Sequence, residues 1–191
     1  MKDNEKNEDD ISSFPKLTKI SENSSYKYIF RVCLLGDSGV GKTSLLTRYC
    51  DSIFKDKYSN IQLELILELL KYKDIVTKIH IWDTTGQERF KSIAVNYFRT
   101  SNGFIFCYDI TKKKSFDNIK NWVELAFFNN VLHKVNFLIG NKMDLNNKRE
   151  VDIEEVENFA KTNKFTYLET SSKENINVEK VFEFFTYKLI F

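Results

Sequence analysis

A phosphate-binding pattern occupies residues 36–43, which read G-D-S-G-V-G-K-T. Its glycines allow successive backbone N–H groups to turn inward around an anion, and the following helix points its positive N-terminal end at the same anion. We expect Lys42 to reach the β- and γ-phosphates of a nucleoside triphosphate, as both a binding and a catalytic residue, and the Thr43 hydroxyl to bind Mg²⁺. The nucleotide-binding residues predicted in this segment are Asp37, Ser38, Gly39, Val40, Gly41, Lys42, Thr43 and Ser44.

A second pattern, N-K-M-D at residues 141–144, indicates which base the nucleotide carries. The Asp144 carboxylate can accept two hydrogen bonds from a base only if that base offers a ring N–H beside an exocyclic amine. Guanine offers both groups and adenine does not. Because the wrong base would leave a buried carboxylate unpaired, discrimination can be large. Asp144 is therefore predicted to select guanine, and Asn141 and Lys142 of the same pattern are predicted to be nucleotide-binding residues.

From residue 28 onward the sequence alternates between strand and helix patterns. The strands and helices that these patterns predict must position the two motifs. The alternation predicts an α/β fold with a mainly parallel six-stranded sheet, helices on both faces, and ligand loops at the carboxyl ends of the strands. The predicted strands are 29–35, 63–70, 75–82, 104–109, 135–140 and 165–170. The predicted helices are 42–49, 116–129, 153–163 and 178–190.

Residues 1–27 differ from the rest of the chain. They are polar and contain the only proline, Pro15, so the sequence predicts a disordered extension. The remaining length is enough for one domain with a sizeable core, and the 42% hydrophobic content agrees with this. The net charge of +2 gives no general electrostatic argument for binding nucleic acid or an anionic membrane.

The cysteines and the apolar runs indicate a cellular setting. Cys33, Cys50 and Cys107 are odd in number and widely spaced, which favours a reduced, cytosolic environment. No apolar stretch approaches the length of a membrane span, and the N-terminus has no apolar signal core. We expect a cytoplasmic protein with no intrinsic membrane anchor in this chain.

Further segments resemble one known family. Residues 81–90, I-W-D-T-T-G-Q-E-R-F, resemble the W-D-T-A-G-Q-E-R-F segment of Ras-superfamily small GTPases, with Thr85 in place of Ala. Residues 108–116, which include Y-D-I-T and S-F, resemble the Rab-branch segment that follows the fourth strand. The chain is identified by this resemblance as a member of the family over residues 28–190. The resemblance implies the P-loop NTPase fold, with a small GTPase (G) domain over residues 28–191.

The resemblance extends to the base-binding loop near the C-terminus. Residues 169–173 read E-T-S-S-K and resemble the family's E-T-S-A-K. In the family a backbone N–H at the middle of this loop contacts guanine O6, and Ser172, which replaces Ala, keeps that N–H. Ser171, Ser172 and Lys173 are therefore implied to be nucleotide-binding residues.

The resemblance also implies the roles of individual residues around the phosphates. Asp83 would hold Mg²⁺ through water, Gly86 would give its N–H to the γ-phosphate, and Gln87 would orient the attacking water. Phe54 stands where the family places an aromatic ring against the guanine plane. Tyr58 stands where a tyrosine can cover the phosphates.

The function implied is that of a Rab-like switch in intracellular vesicle trafficking. Such a protein binds GTP or GDP with Mg²⁺ and hydrolyses GTP slowly without an activating protein. The implied partners are an exchange factor, a GTPase-activating protein and effectors, with recruitment to the cytosolic face of an endomembrane.

The chain departs from the family in two places, and the first of these departures keeps an alternative open. The first switch normally carries a Thr that ligates Mg²⁺, but Ile61 stands there when counted forward from Thr43 and Asn60 when counted back from Trp82. The family's C-terminal prenylation cysteines are also absent from this sequence. The alternative is a degenerate, hydrolysis-deficient scaffold that holds guanine nucleotide. A P-loop nucleotide kinase is a third reading, and the N-K-x-D and E-T-S-S-K patterns count against it.

Overall fold

The computed structural model describes residues 15–20, 24–54, 64–84, 91–128 and 135–191, with the backbone alone described at 64–67 and 91–95. Its strands are β1 (Thr18–Lys19), β2 (Tyr28–Leu35), β3 (Glu64–Tyr72), β4 (Ile75–Asp83), β5 (Gly103–Asp109), β6 (Val135–Asn141) and β7 (Thr166–Thr170). Its helices are α1 (Lys42–Asp51), α2 (Lys91–Thr100), α3 (Lys113–Asp117), α4 (Ile119–Phe128), α5 (Ile153–Asn163) and α6 (Val178–Ile190), with a 3-10 helix at Met143–Lys148.

The strands form one sheet in the order β1-β3-β4-β2-β5-β6-β7. Strands β4, β2, β5, β6 and β7 run parallel, whereas β3 is antiparallel to β4, and β1 is antiparallel to β3. Parallel strands are covered on both faces and are therefore rich in apolar residues, and all seven residues of β5 are buried. Their carboxyl ends meet at one edge of the sheet, which confirms the predicted α/β class.

Helices cover both faces of the sheet and create two hydrophobic cores. One core includes Leu45 of α1 and Phe182 of α6, and the other includes Trp122 of α4 and Val156 of α5. The core residues are close-packed aliphatic and aromatic side chains, which hold the strand ends in fixed positions. None of the helices in the described ranges is both long and apolar enough to cross a bilayer.

The sheet has seven strands rather than the predicted six, because the N-terminal segment contributes one. Thr18 and Lys19 pair with Lys71 and Leu70 of β3, and Leu17 is only 2% exposed. The prediction of disorder was therefore wrong for residues 15–20. The polar composition misled because the segment is ordered by pairing with the edge of β3, which lies far away in sequence.

Lys19 links this N-terminal segment to α1 and β3. Its Nζ donates a hydrogen bond to the Tyr49 carbonyl at 2.6 Å and lies 3.7 Å from the centre of the Tyr49 ring. The same group forms an ion pair with Glu68 of β3 at 3.5 Å. One cation thus joins β1, β3 and the last part of α1.

The helices differ from prediction in two places. Helix α2 was not predicted from the sequence, and the single helix expected over 116–129 is observed as α3 and α4, divided at Asn118. The helix predicted over 178–190 coincides with α6. The division at Asn118 matters for the site, since the Asn118 side chain contacts the phosphate loop.

Replacing Leu17 with Ala is expected to lower the free energy of unfolding by about 2–3 kcal/mol, because it removes buried methyl groups and leaves a cavity. Chemical denaturation of the full chain measures this loss. Ile153→Ala is the matched control, since Ile153 is 45% exposed. A change for Leu17→Ala no larger than the control, or within about 0.5 kcal/mol, would contradict the packing of this segment.

Candidate functional site

The phosphate loop lies between the end of β2 and the start of α1. Gly36 has a φ of 141°, and a Cβ there would lie 2.1 Å from the Cys107 carbonyl oxygen. Gly41 has a φ of 99°, and a Cβ there would lie 2.3 Å from Nδ2 of Asn141. Only glycine fits both positions, because a side chain would be strained and would collide with β5 and β6. The loop is therefore set tightly against the strand ends.

Lys42 is the first residue of α1 and is 4% exposed. Its Nζ donates hydrogen bonds to the carbonyl oxygens of Gly36 at 2.8 Å and Asp37 at 2.7 Å. Burial lowers the pKa of Lys42, and the nearby Asp83 carboxylate opposes that effect. The loop thus wraps around a buried amine, an arrangement suited to an anionic phosphate group.

Thr43 and Asp83 bring two oxygen ligands together. The Thr43 hydroxyl at the start of α1 donates to Oδ2 of Asp83 at the end of β4, with 2.5 Å between the oxygens. Asp83 is 1% exposed. Mg²⁺ in nucleotide sites takes one or two protein oxygens, with phosphate oxygens and waters completing its octahedron. This donor pair therefore fits the predicted Mg²⁺.

The Asp37 carboxylate bonds to two side chains that the sequence did not predict as site residues. It accepts hydrogen bonds from Nδ2 of Asn118 at 2.6 Å and from Nε1 of Trp122 at 2.8 Å. Asn118 and Trp122 are four residues apart, so they share one face of the helical segment. The four-residue spacing is the only feature of the nearby sequence that links these two residues. It indicates a role in the site only when the position of the helix beside the phosphate loop is known.

Asn141 joins the phosphate loop to the base-binding loop at residues 169–173. Its Nδ2 donates to the Val40 carbonyl at 3.0 Å. Its Oδ1 accepts from the hydroxyls of Thr170 and Ser172, each at 3.1 Å, and more weakly from the Ser172 N–H at 3.3 Å. The amide is thus satisfied on both sides. The Ser172 hydroxyl, present because Ser replaces Ala, supplies one of these bonds.

Lys142 also bonds to the phosphate loop, and it connects that loop to the end of β5. Its Nζ donates to the Gly39 carbonyl at 2.8 Å and forms an ion pair with Oδ2 of Asp109 at 2.6 Å. Asp109 is the last residue of β5 and is buried. Three elements therefore converge on Lys142, namely β5, β6 and the phosphate loop.

Asp144, the predicted base-reading residue, contacts the E-T-S-S-K segment. The Ser171 hydroxyl donates to Oδ1 of Asp144 at 2.6 Å, and the Glu174 N–H donates to the same hydroxyl at 3.0 Å. Ser171 is fully buried. These bonds hold the carboxylate beside the loop that also carries the Ser172 N–H. The assignment of that N–H to guanine O6 stays a prediction.

Glu169 anchors this loop to the sheet. It forms a two-point ion pair with Arg149, each N···O distance being 2.7 Å, and accepts from the Tyr167 hydroxyl at 2.6 Å. Burial opposes ionisation of Glu169, but the hydrogen bonds from Arg149 and Tyr167 outweigh it and lower its pKa. A paired carboxylate of this kind fixes the end of β7.

Among the predicted site residues that the structure describes, Lys42 and Asn141 bond to the phosphate loop, and Thr43 bonds to Asp83. Asp144 bonds to Ser171 of the base-binding loop. Phe54 is half-buried and faces the Arg48 guanidinium, which lies 6.0 Å from the ring centre. Arg48 was missed by sequence reasoning. Tyr58, Gly86 and Gln87 lie outside the described residues, as do the first-switch positions 60 and 61.

Comparisons with known proteins agree with this geometry. Residues 31–190 match the Ras family. Ras-related protein Rab-13 of Rattus norvegicus is 39% identical over 159 residues, covering 83% of this chain and 78% of that protein. GTP-binding protein YPT1 of Saccharomyces cerevisiae is 39% identical over 161 residues, covering 84% and 78%. Ras-related protein Rab-8A of Bos taurus is 40% identical over 159 residues, covering 83% and 77%.

The family match spans both the phosphate loop and the base-binding loops described above. The relatives named here are similar to this chain along most of their own length, and all belong to the Rab and Ypt group. This chain therefore belongs to the Ras family of small GTPases, in its Rab branch.

Proposed function

We propose that this protein binds GTP and GDP with Mg²⁺, hydrolyses GTP, and acts as a molecular switch in intracellular vesicle trafficking. The observation that carries the proposal is the junction at Asn141, whose side chain bonds to the phosphate loop on one side and to the base loop on the other. A guanine nucleotide must contact both loops at once. The Rab and Ypt relatives support the trafficking role.

Each of the main site residues has a defined task in this proposal. Lys42 and the loop N–H groups would bind the β- and γ-phosphates, while Thr43 and Asp83 would hold Mg²⁺, which neutralises phosphate charge when bound. Asp144 would select guanine through its ring N–H and amine. Gln87 would orient the attacking water, which is a positioning role and not strong base chemistry.

Membership of the Rab branch implies an exchange factor, a GTPase-activating protein and effectors as partners. We propose that these partners control nucleotide state at the cytosolic face of an endomembrane. We also propose that the folded domain includes residues 15–20, since that segment pairs with β3. Nothing in the described residues or in the relatives favours the hydrolysis-deficient scaffold that the divergent first switch left open.

Single-turnover hydrolysis tests the proposal against that scaffold. The protein is loaded with GTP, Mg²⁺ is added, and phosphate release is followed. We expect slow release by the unmodified chain and a loss of about a hundredfold in Gln87→Leu, because misplacing the attacking water costs about that much. GDP affinity, measured in parallel, should stay close to that of the unmodified chain. Guanine binding without any hydrolysis would favour the scaffold.

A further inference from the structure

We propose that Arg48 is a positioning residue that holds both walls of the guanine pocket, and so sets how long the nucleotide stays bound and how strictly its base is selected. The inference rests on the proposed function, since it concerns the same pocket. Arg48 lies in the last turn of α1, and the hydrogen bonds that its side chain makes within the described residues all go to backbone carbonyls. It acts through backbone carbonyls and through Phe54.

The first wall is the loop at residues 171–174. Nε of Arg48 donates to the Ser172 carbonyl at 2.8 Å, and Nη2 donates to the Lys173 carbonyl at 3.0 Å. A trans peptide unit is planar, so fixing its carbonyl also fixes the direction of the following N–H. Arg48 therefore sets the directions of the N–H groups of Lys173 and Glu174.

The Glu174 N–H is linked to the Asp144 carboxylate by two successive hydrogen bonds. It donates to the Ser171 hydroxyl at 3.0 Å, and that hydroxyl donates to Oδ1 of Asp144 at 2.6 Å. Turning the Lys173–Glu174 peptide would break the first of these bonds and release the hydroxyl that orients Asp144. The hydrogen bond from Arg48 to the Lys173 carbonyl therefore affects the orientation of the Asp144 carboxylate through these two hydrogen bonds.

The second wall is the segment that follows α1. Nη1 of Arg48 donates to the Ser52 carbonyl at 2.7 Å, and the Ser52 N–H donates back to the Arg48 carbonyl at 3.1 Å. Ser52 has a φ of 58°, a left-handed conformation that costs energy for a residue other than glycine. These bonds support the turn, and two residues later Phe54 places its ring 6.0 Å from the guanidinium carbon.

Arginine is suited to this position because its planar guanidinium offers a rigid fork of donors and a flat face for an aromatic ring. Here three donors meet three carbonyls from two segments that are far apart in sequence. A lysine ammonium on a flexible stem cannot reproduce that geometry. The interaction therefore depends on the guanidinium and not on positive charge alone.

The experiment measures release of a ribose-labelled fluorescent GDP from the full chain carrying Arg48→Ala or Arg48→Lys. Charged hydrogen bonds are lost, so release from Arg48→Ala should be roughly tenfold to a hundredfold faster. Arg48→Lys should recover only part of the difference. Lys161→Ala, which removes a positive charge from the exposed side of α5, is the control and should release GDP like the unmodified chain.

A second readout separates positioning from a general loosening of α1. The diphosphate of 2,6-diaminopurine riboside lacks guanine O6 and its ring N–H, so it gains little from a well-oriented loop. If Arg48 positions the loop, the preference for GDP over this analogue should fall in Arg48→Ala. Equal acceleration of both nucleotides, or release of GDP at the unmodified rate, would overturn the inference. Failure of the unmodified chain to bind GDP would instead overturn the proposed function and this inference with it.

Discussion

Replacing Lys42 with Met is expected to lower GDP and GTP affinity by at least about a hundredfold. The Met side chain keeps the volume of a residue that is 4% exposed, but it removes the buried amine. Two charge-assisted hydrogen bonds to phosphate oxygens, each worth about 1.5–3 kcal/mol, would be lost. Every 1.4 kcal/mol corresponds to about a tenfold change in the dissociation constant. Isothermal titration with each nucleotide measures the loss.

Lys120→Met is the matched control, because Lys120 lies on the exposed side of α4. It should bind both nucleotides as the unmodified chain does. Circular dichroism and gel filtration establish that the Lys42 variant is folded. A folded Lys42→Met protein with unchanged affinity would show that this amine does not bind phosphate, and the assignment of the loop would fail.

Replacing Asp144 with Asn is expected to change which base the protein prefers. In the proposed site the carboxylate would pair with the ring N–H and amine of guanine, so the loss of these charged hydrogen bonds should weaken GDP binding by about a hundredfold. Xanthine has a carbonyl in place of the amine, so the Asn side chain can donate to it. The Asn oxygen can still accept from the Ser171 hydroxyl, so the loop should keep its structure.

Competition between GDP and xanthosine diphosphate measures this change directly. We expect the unmodified chain to prefer GDP and the variant to prefer the xanthine nucleotide. Asp117→Asn provides the control, since that carboxylate is exposed on α3 and pairs only with Lys113 among the described ion pairs. An Asp144→Asn protein that prefers guanine as strongly as its parent would show that another group selects the base.

Much of the site could be predicted because its chemistry is local in sequence. The phosphate loop needs glycines at fixed spacing, and the structure shows why at Gly36 and Gly41, where a Cβ would strike other atoms. The parallel strands could be recognised from continuous apolar runs, since both faces of such strands are buried. The meeting of Thr43 with Asp83 follows from the strand ends sharing one edge of the sheet.

What could not be predicted depends on contacts between distant segments. Nothing near Arg48 in sequence indicates that it bonds to the Ser172 and Lys173 carbonyls. The bond from Trp122 to Asp37 is equally remote. The N-terminal strand could not be predicted for the same reason. Its order comes from pairing with the edge of β3 and from burial of Leu17 rather than from its own composition.

The most direct test of the central claim is to identify the nucleotide that copurifies with the full chain. The protein is purified in Mg²⁺, denatured, and the released nucleotide is separated and quantified by chromatography. A site that binds both the phosphates and the base should hold its nucleotide through purification, so GDP or GTP should be recovered at close to one per protein. Chelation of Mg²⁺ beforehand should reduce the yield. Recovery of adenine nucleotide, or of none together with no guanine nucleotide binding in solution, would contradict the account.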